Sequence, residues 1–352
     1  MNMRCPTCGT MYGDESRFCT RDGARLSEFH PGVPAAPIAP VAPAKGTDPA
    51  ARSTAYRSKG AAEAGVVSSH ASMAGRVLDR RYHVVRKVGE GGMSHVYLAH
   101  DVATQERYAI KILSPALSKD ENAMARLRRE AALGIRLAHP NVCHIMRMGE
   151  TEDGLVYVVM PFVEGEILSD RNYRVSQTTL ADAVHFIGEI ASGLHVAHQL
   201  TIIHRDLKPE NIMICKRPDG MESAVVMDFG LAKERKAGGE LQKLTATGII
   251  LGTPEFMSPE QLRGKPLDPR TDIYSLALMA YEMLTTKLPF EGNNQQAMMI
   301  ARLRLDPIPA RNRRPDLPEA VDRVLLKAMA RAADDRYQTA PEFAQALRVA
   351  AG

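Results

Sequence analysis

The segment that most limits how this 352-residue chain can fold is His204-Arg205-Asp206-Leu207-Lys208-Pro209-Glu210-Asn211. It is a polar, ionisable run set between the largely apolar triplets Thr201-Ile202-Ile203 and Ile212-Met213-Ile214. Flanks of that kind are buried on folding, so the loop between them is carried inward, where each charge needs a partner or a task. Seventeen residues after Asn211 comes Asp228-Phe229-Gly230, directly after a strand candidate at 224–227. A carboxylate at a strand end can reach a bound cation. Pro218-Asp219-Gly220 is a turn signal between the strand candidates 212–214 and 224–227, and predicts that they form a hairpin.

Upstream, short runs rich in β-branched and aromatic residues at 82–88, 95–99 and 107–113 read as strands. The first two are joined by Gly89-Glu90-Gly91-Gly92-Met93-Ser94-His95-Val96, where glycines would let backbone N–H groups approach phosphate. A glycine turn between two strands differs from the strand-to-helix turn of a dinucleotide site, and Gly-Lys-Ser/Thr is absent from it. Lys111 falls on the third strand. The pattern over 121–137 predicts a helix with Met124, Leu127, Ala131 and Ile135 on one face and Glu130 at its edge. The continuous apolar run 155–160 predicts a strand buried on both sides. Helices follow at about 178–200, 271–285, 295–304, 318–330 and 341–350, so a strand-rich lobe precedes a helix-rich one in an α+β fold.

Taken in order, the glycine loop, strand Lys111, helix Glu130, His204-Arg205-Asp206 with Asn211, Asp228-Phe229-Gly230 and Ser258-Pro259-Glu260 resemble the Ser/Thr protein kinase family. The Gly-Gly-Met-Ser loop and Tyr337-Gln338-Thr339-Ala340 are similar to bacterial members of the Hanks type. The resemblance implies a bilobal kinase domain over 77–350, with the strand-rich lobe at about 77–161 and the helical lobe at about 162–350. It implies ATP and Mg²⁺ (or Mn²⁺) as cosubstrate and metal, and protein Ser or Thr hydroxyls as acceptors. Lys111, positioned by Glu130, would hold the α and β phosphates. Asn211 and Asp228 would ligate the cation, Asp206 would accept or orient the hydroxyl proton, and Lys208 would steady the γ phosphate. Gly89, Gly91 and Ser94 would cover the phosphates. Val96, Ala109 and Met160 would wall the adenine pocket, with Phe162 and Val163 in the interlobe crossing. Arg205 beside Asp206 implies a phosphate on the following loop, and Thr245 and Thr247 are the expected autophosphorylation sites. Glu260 is expected to pair with Arg336, and Asp272 to hold the backbone of the Arg205 loop. Pro161 departs from the usual acidic residue and removes an N–H from the crossing.

The N-terminus is built differently. Cys5-Pro6-Thr7-Cys8-Gly9 has metal-knuckle spacing, and Cys19-Thr20-Arg21-Asp22-Gly23 repeats the shape with Asp in the fourth place. Residues 1–30 resemble a short zinc ribbon with Cys5, Cys8, Cys19 and Asp22 as ligands and His30 as a substitute. So small a unit has almost no core of its own, and a metal is what would order it. Residues 31–50 carry six Pro and six Ala, and the stretch 31–76 reads as a flexible linker. Basic and acidic residues balance in the ribbon, which favours a protein partner over nucleic acid.

Charge and composition exclude little else but agree. A net charge of +4 is too weak to argue for nucleic acid, and the longest apolar run, 154–163, is far short of a membrane span. No apolar leader follows Met1, and the five cysteines suit a reducing compartment, so the chain is expected to be cytoplasmic, with Cys143 and Cys215 simply buried. Two rival readings remain at this level. One is a catalytically silent kinase-like scaffold that binds partners through the ribbon, and the other is a nucleic-acid-binding ribbon with the kinase as effector.

Overall fold

The structure, a computed structural model, describes residues 73–91, 94–119, 121–175, 177–229 and 254–352, together with three two-residue strands near the N-terminus. The chain divides into two units, Met1–Ala51 and Arg52–Gly352. In the first, β1 (Met3–Arg4) pairs antiparallel with β2 (Met11–Tyr12) on one side and β3 (Ser27–Glu28) on the other. Cys5, Cys8, Cys19, Asp22 and His30 lie outside the described residues, as do the linker to residue 72, Gly92, Met93, Thr245 and Thr247.

The second unit opens with a six-stranded antiparallel sheet. Its strands are β4 (Val77–Leu78), β5 (Tyr82–Gly91), β6 (Ser94–Asp101), β7 (Arg107–Leu113), β8 (Arg147–Glu150) and β9 (Val156–Pro161), in the order β4-β5-β6-β7-β9-β8. β9 lies between β7 and β8, and from Val156 to Met160 every residue is buried. That placement is why its sequence is a continuous apolar run instead of an alternating one. Met73 is buried in the same core and Gly75 N–H donates to Val84 O at 2.8 Å, so the folded lobe begins upstream of the expected residue 77.

A short helix α1 (Pro115–Ser118) leads into α2 (Glu121–Gly134), which packs Met124, Leu127 and Ala131 on Ile145, Val156 and Val158. Ile135 was expected on that face and is not. The helix ends at Gly134, and Ile135, just beyond it, is 47% exposed. Gly134 lies close to Ile145, and a Cβ there would stand 2.9 Å from Ile145 Cδ1, so that side-chain end would have to shift.

The helical lobe is built on two long helices. Thr179 caps α4 (Leu180–Gln199), its hydroxyl accepting from the Asp182 amide, and α6 (Arg270–Thr285) is buried on nearly every side. Around them lie α3 (Leu168–Arg174), α5 (Pro259–Leu262), α7 (Gln295–Arg304), α8 (Glu319–Ala328) and α9 (Ala340–Ala351). Strands β10 (Glu166–Ile167), β11 (Ile212–Lys216) and β12 (Glu222–Val226) form a small antiparallel sheet on this lobe. The expected hairpin is therefore present, with Gly220 supplying the positive φ of +84° in its turn. Among the described residues, no helix is long and apolar enough to cross a membrane. Cys143 is buried as expected, whereas Cys215, next to the hairpin turn, is only half-buried.

Candidate active site

The site is assembled from strand ends and one loop. Loop 204–211 enters it because Asp272, fully buried at the start of α6, gathers its backbone. Oδ2 of Asp272 accepts from His204 N–H at 2.8 Å, and Oδ1 accepts from Arg205 N–H at 3.0 Å. His198 Nε2 lies 2.8 Å from the same carboxylate. Burial pushes the Asp272 pKa up, but His198 and the backbone donors overcome this, and the net direction is down. Arg205 is thereby held at φ +65°, a left-handed conformation rarely adopted by a bulky residue. Gln261 Nε2 donates to the Arg205 carbonyl at 2.6 Å and fixes the loop from the other side.

His204 is a fully buried spacer. Its Nδ1 accepts from the Asp206 amide at 3.3 Å, so the ring proton sits on Nε2, which donates to Met227 O at 2.9 Å. The ring meets Phe229 edge to face, with centroids 4.9 Å apart. One imidazole thus ties the 204–211 loop to the strand end carrying Asp228. A second tie is the Met227 amide, which donates to Asn211 O at 2.8 Å.

Asn211 Nδ2 donates to Asp206 O at 2.7 Å and to Asp206 Oδ2 at 3.2 Å, and Lys208 Nζ stands 3.5 Å from Asp206 Oδ2. These bonds use the amide nitrogen of Asn211 and leave its oxygen as the atom able to face a cation. Asp228, at φ +53°, receives Lys111 Nζ on Oδ1 at 2.8 Å. Lys111 is brought there by β7, whose side chains alternate across a sheet that places Ala109 and Lys111 on the same face. Two hard oxygen donors, Asn211 Oδ1 and an Asp228 carboxylate, beside a lysine ammonium form a donor set suited to Mg²⁺ and phosphate. The residues therefore fit the nucleotide and metal expected from the sequence.

Beside this polar corner lies an apolar slot lined by Val88, Val96, Ala109, Met160, Phe162 and Val163 from above and Met213 and Met227 from below, with Asp228 at its end. Lys111, Asp228 and the slot therefore share one cleft. Gly89 and Gly91 end β5 and pair with Val96 and Ser94 on β6, next to Val88 and Val96 of the slot. Glu130 falls within α2, but its side chain lies outside the described residues, and the partner the structure gives Lys111 is Asp228.

Several contributors carry no local signal in the sequence. Cys143 packs beside Ala109 and Met160, and its thiol is 3.7 Å from the Pro161 carbonyl. Burial first, then the Asp228 charge, pushes that thiol up to about 12, so it stays protonated. Across the interlobe crossing, Arg107 forms a bidentate pair with Glu164 and lies 5.8 Å from the centre of the Phe162 ring. On α6, Glu282 is driven up to about 7 by burial and by the charges of Glu210 and Glu255, while Asn172 Nδ2 donates to it at 3.3 Å and opposes the shift.

The native fold keeps a proton on Glu282 that the unfolded chain releases near its ordinary pKa of 4.5. Its contribution to stability is complete below that value and disappears as pH rises through about 7. The window is worth about 3 kcal/mol at 1.36 kcal/mol per pKa unit. Glu282→Gln is therefore expected to flatten the fall in stability between pH 5 and 8. Denaturation midpoints that keep the wild-type slope would contradict this origin.

Comparison with known proteins agrees with this geometry. The protein kinase domain family model matches residues 82–346. Serine/threonine-protein kinase pkn3 of Myxococcus xanthus is 36% identical over 276 residues, covering 78% of this chain and 50% of the relative. PknB of Mycolicibacterium smegmatis is 38% identical over 279 residues, covering 78% and 44%, and PrkC of Bacillus subtilis is 35% identical over 276 residues, covering 78% and 41%. This chain thus spans half or less of the length of these curated relatives. Among solved structures, the PknI kinase domain of Mycobacterium tuberculosis matches with a TM-score of 0.62 and 28% identity, over 79% of this chain and 99% of that one. On its matching model, its similarity to Ser/Thr-protein kinases and its two-lobed fold, the chain belongs to the protein kinase domain family.

Proposed function

We propose that this chain transfers the γ-phosphoryl group of ATP to serine or threonine hydroxyls of proteins. The observation that carries the reading is the convergence of Lys111, Asp228, Asn211 and Asp206 on one corner of a cleft whose other end is apolar. The apolar slot takes the adenine between Ala109, Val96 and Met160 above and Met213 below. Pro161 has no N–H and the Phe162 N–H already donates to Arg107 O at 3.4 Å, so the Val163 N–H supplies the donor to the ring. Lys111 balances phosphate charge, and Lys208 does so near the γ phosphate. Asp206, steadied by Asn211 and Lys208, orients the acceptor hydroxyl and takes its proton as the new O–P bond forms. The bond from phosphorus to the β-γ bridging oxygen breaks, and ADP leaves. Mg²⁺, held by Asn211 and Asp228, supplies neutralisation of the phosphate oxygens when bound.

Incubating the purified chain with Mg²⁺, ATP and a histone mixture, then locating phosphate by mass spectrometry, tests this reading. Phosphoserine and phosphothreonine on the chain and on histone are expected, with Thr245 and Thr247 among the sites. ATP binding without transfer would instead make the chain a silent scaffold. For the N-terminal unit, the reading is one Zn²⁺ held by Cys5, Cys8, Cys19 and Asp22 as a surface for a protein partner. Native mass measurement is expected to show one zinc lost on chelation, and a metal-free mass would contradict it.

A further inference from the structure

Beside the catalytic loop runs the segment 254–258, and its backbone is held in an unusual way. Three consecutive carbonyls each receive a side-chain donor from a helix of the lobe. Arg302 Nη2 donates to Glu255 O at 2.5 Å, Ser275 Oγ to Phe256 O at 2.7 Å, and Arg302 Nη1 to Met257 O at 2.9 Å. Arg302 comes from α7 and is fully buried, with its guanidinium 5.5 Å from the centre of the Phe290 ring. Burial lowers its pKa against the opposing field of Glu255 and Tyr274. Taking a guanidinium out of water is costly, and two carbonyl acceptors recover only part of that cost. A neutral side chain would brace one carbonyl more cheaply, but only the planar fork of arginine reaches two carbonyls two residues apart.

The braced segment adjoins the reacting centre. Beyond burial, the charges that act on the Glu255 carboxyl group are those of Glu210, Arg302 and Lys208, so its side chain stands beside the loop that carries Asp206. From the other end, Ser258 caps α5 in a capping box whose Gln261 side chain donates to Arg205 O. The segment is therefore tied to α5, α6 and α7 and to the residue preceding Asp206, whose carboxylate would meet the acceptor hydroxyl.

We propose that Arg302 is a positioning residue for the protein acceptor: by holding the Glu255 and Met257 carbonyls, it fixes the wall against which the chain flanking the acceptor hydroxyl docks. The proposal rests on the kinase reading above and specifies where its substrate is held. Arg302 touches neither nucleotide nor acceptor and acts only through the 254–258 backbone.

The test measures KM for histone and KM for ATP separately, with kcat and melting temperature, in wild type, Arg302→Met, Arg302→Lys and Ser275→Ala. Arg302→Met is expected to raise KM for histone about tenfold and leave KM for ATP within about twofold, as expected for the loss of two charge-assisted hydrogen bonds that reach the acceptor indirectly. Arg302→Lys, which keeps the charge but not the fork, is expected to restore part of the loss. Ser275→Ala frees only the Phe256 carbonyl and is expected to give a smaller shift of the same kind. If Arg302→Met does not fold, the Lys and Ala variants decide by the same readout. A lower melting temperature with both KM values unchanged, or moved in parallel, would overturn the proposal. Absence of transfer by the wild type would instead reject the kinase reading itself.

Discussion

Asp206→Asn is expected to lower kcat for phosphoryl transfer roughly 10²- to 10⁴-fold, the usual range for loss of a general base, while KM for ATP stays within about twofold. The substitution is nearly isosteric, and the groups around it can still be satisfied. Asn211 Nδ2 keeps the Asp206 backbone carbonyl as acceptor at 2.7 Å, and the His204 ring and the Asp272 carboxylate continue to hold the loop. What the variant loses is the capacity to take a proton and the charge opposite Lys208, 3.5 Å away. An unchanged melting curve with a collapsed turnover is the expected signature. Turnover equal to wild type would remove Asp206 from the reaction.

The second large effect concerns stability. Arg336 is buried with its side chain fully enclosed, and it meets Glu260 through two bonds of 2.7 and 2.8 Å. Its remaining donors go to the carbonyls of Ala330, Arg270 and Arg331, and it lies 4.7 Å from the centre of the Tyr274 ring. Thr271 Oγ1 also donates to Glu260, at 2.8 Å. Burial pushes the Glu260 pKa up, but Arg336 more than reverses it, and the net direction is down. Glu260→Gln leaves a buried guanidinium without its counter-charge and is expected to cost about 3–5 kcal/mol. Arg323 and Glu319 form a contrasting pair on the surface, both about two-thirds exposed. Arg323→Ala is expected to change stability by less than about 1 kcal/mol. Denaturant unfolding of the two variants checks the difference, and equal losses would mean that the buried pair contributes no more than a surface one.

Much of this was legible from residues because local pattern and tertiary role coincide. The run ending at Met160 is apolar at every position because β9 is covered on both faces, and the hairpin turn reads from Asp219-Gly220 because Gly220 takes a positive φ. Helix 295–304 matches its pattern without adjustment, since Asn294 caps its start. The misses have physical reasons. Ile135 fits the helical period, but α2 ends one residue earlier at a close approach to Ile145 that no local pattern reports. Strands β8 and β10 and helices α1 and α5 are too short for a period to show. The role of Arg302 was invisible for another reason. A buried arginine whose acceptors are backbone carbonyls some 45 residues away leaves no motif, because any residue has a carbonyl. The expected pairs Glu260 with Arg336 and Asp272 with the Arg205 loop are both found, the latter through backbone amides.

The account turns on Asp228 and Lys111 meeting a nucleotide and its metal in one cleft. The most direct test is the affinity for ATP with and without Mg²⁺, in wild type and in Asp228→Asn, by calorimetric titration. Binding that Mg²⁺ strengthens in wild type but not in the variant is the predicted result. Equal strengthening by Mg²⁺ in both proteins would contradict it.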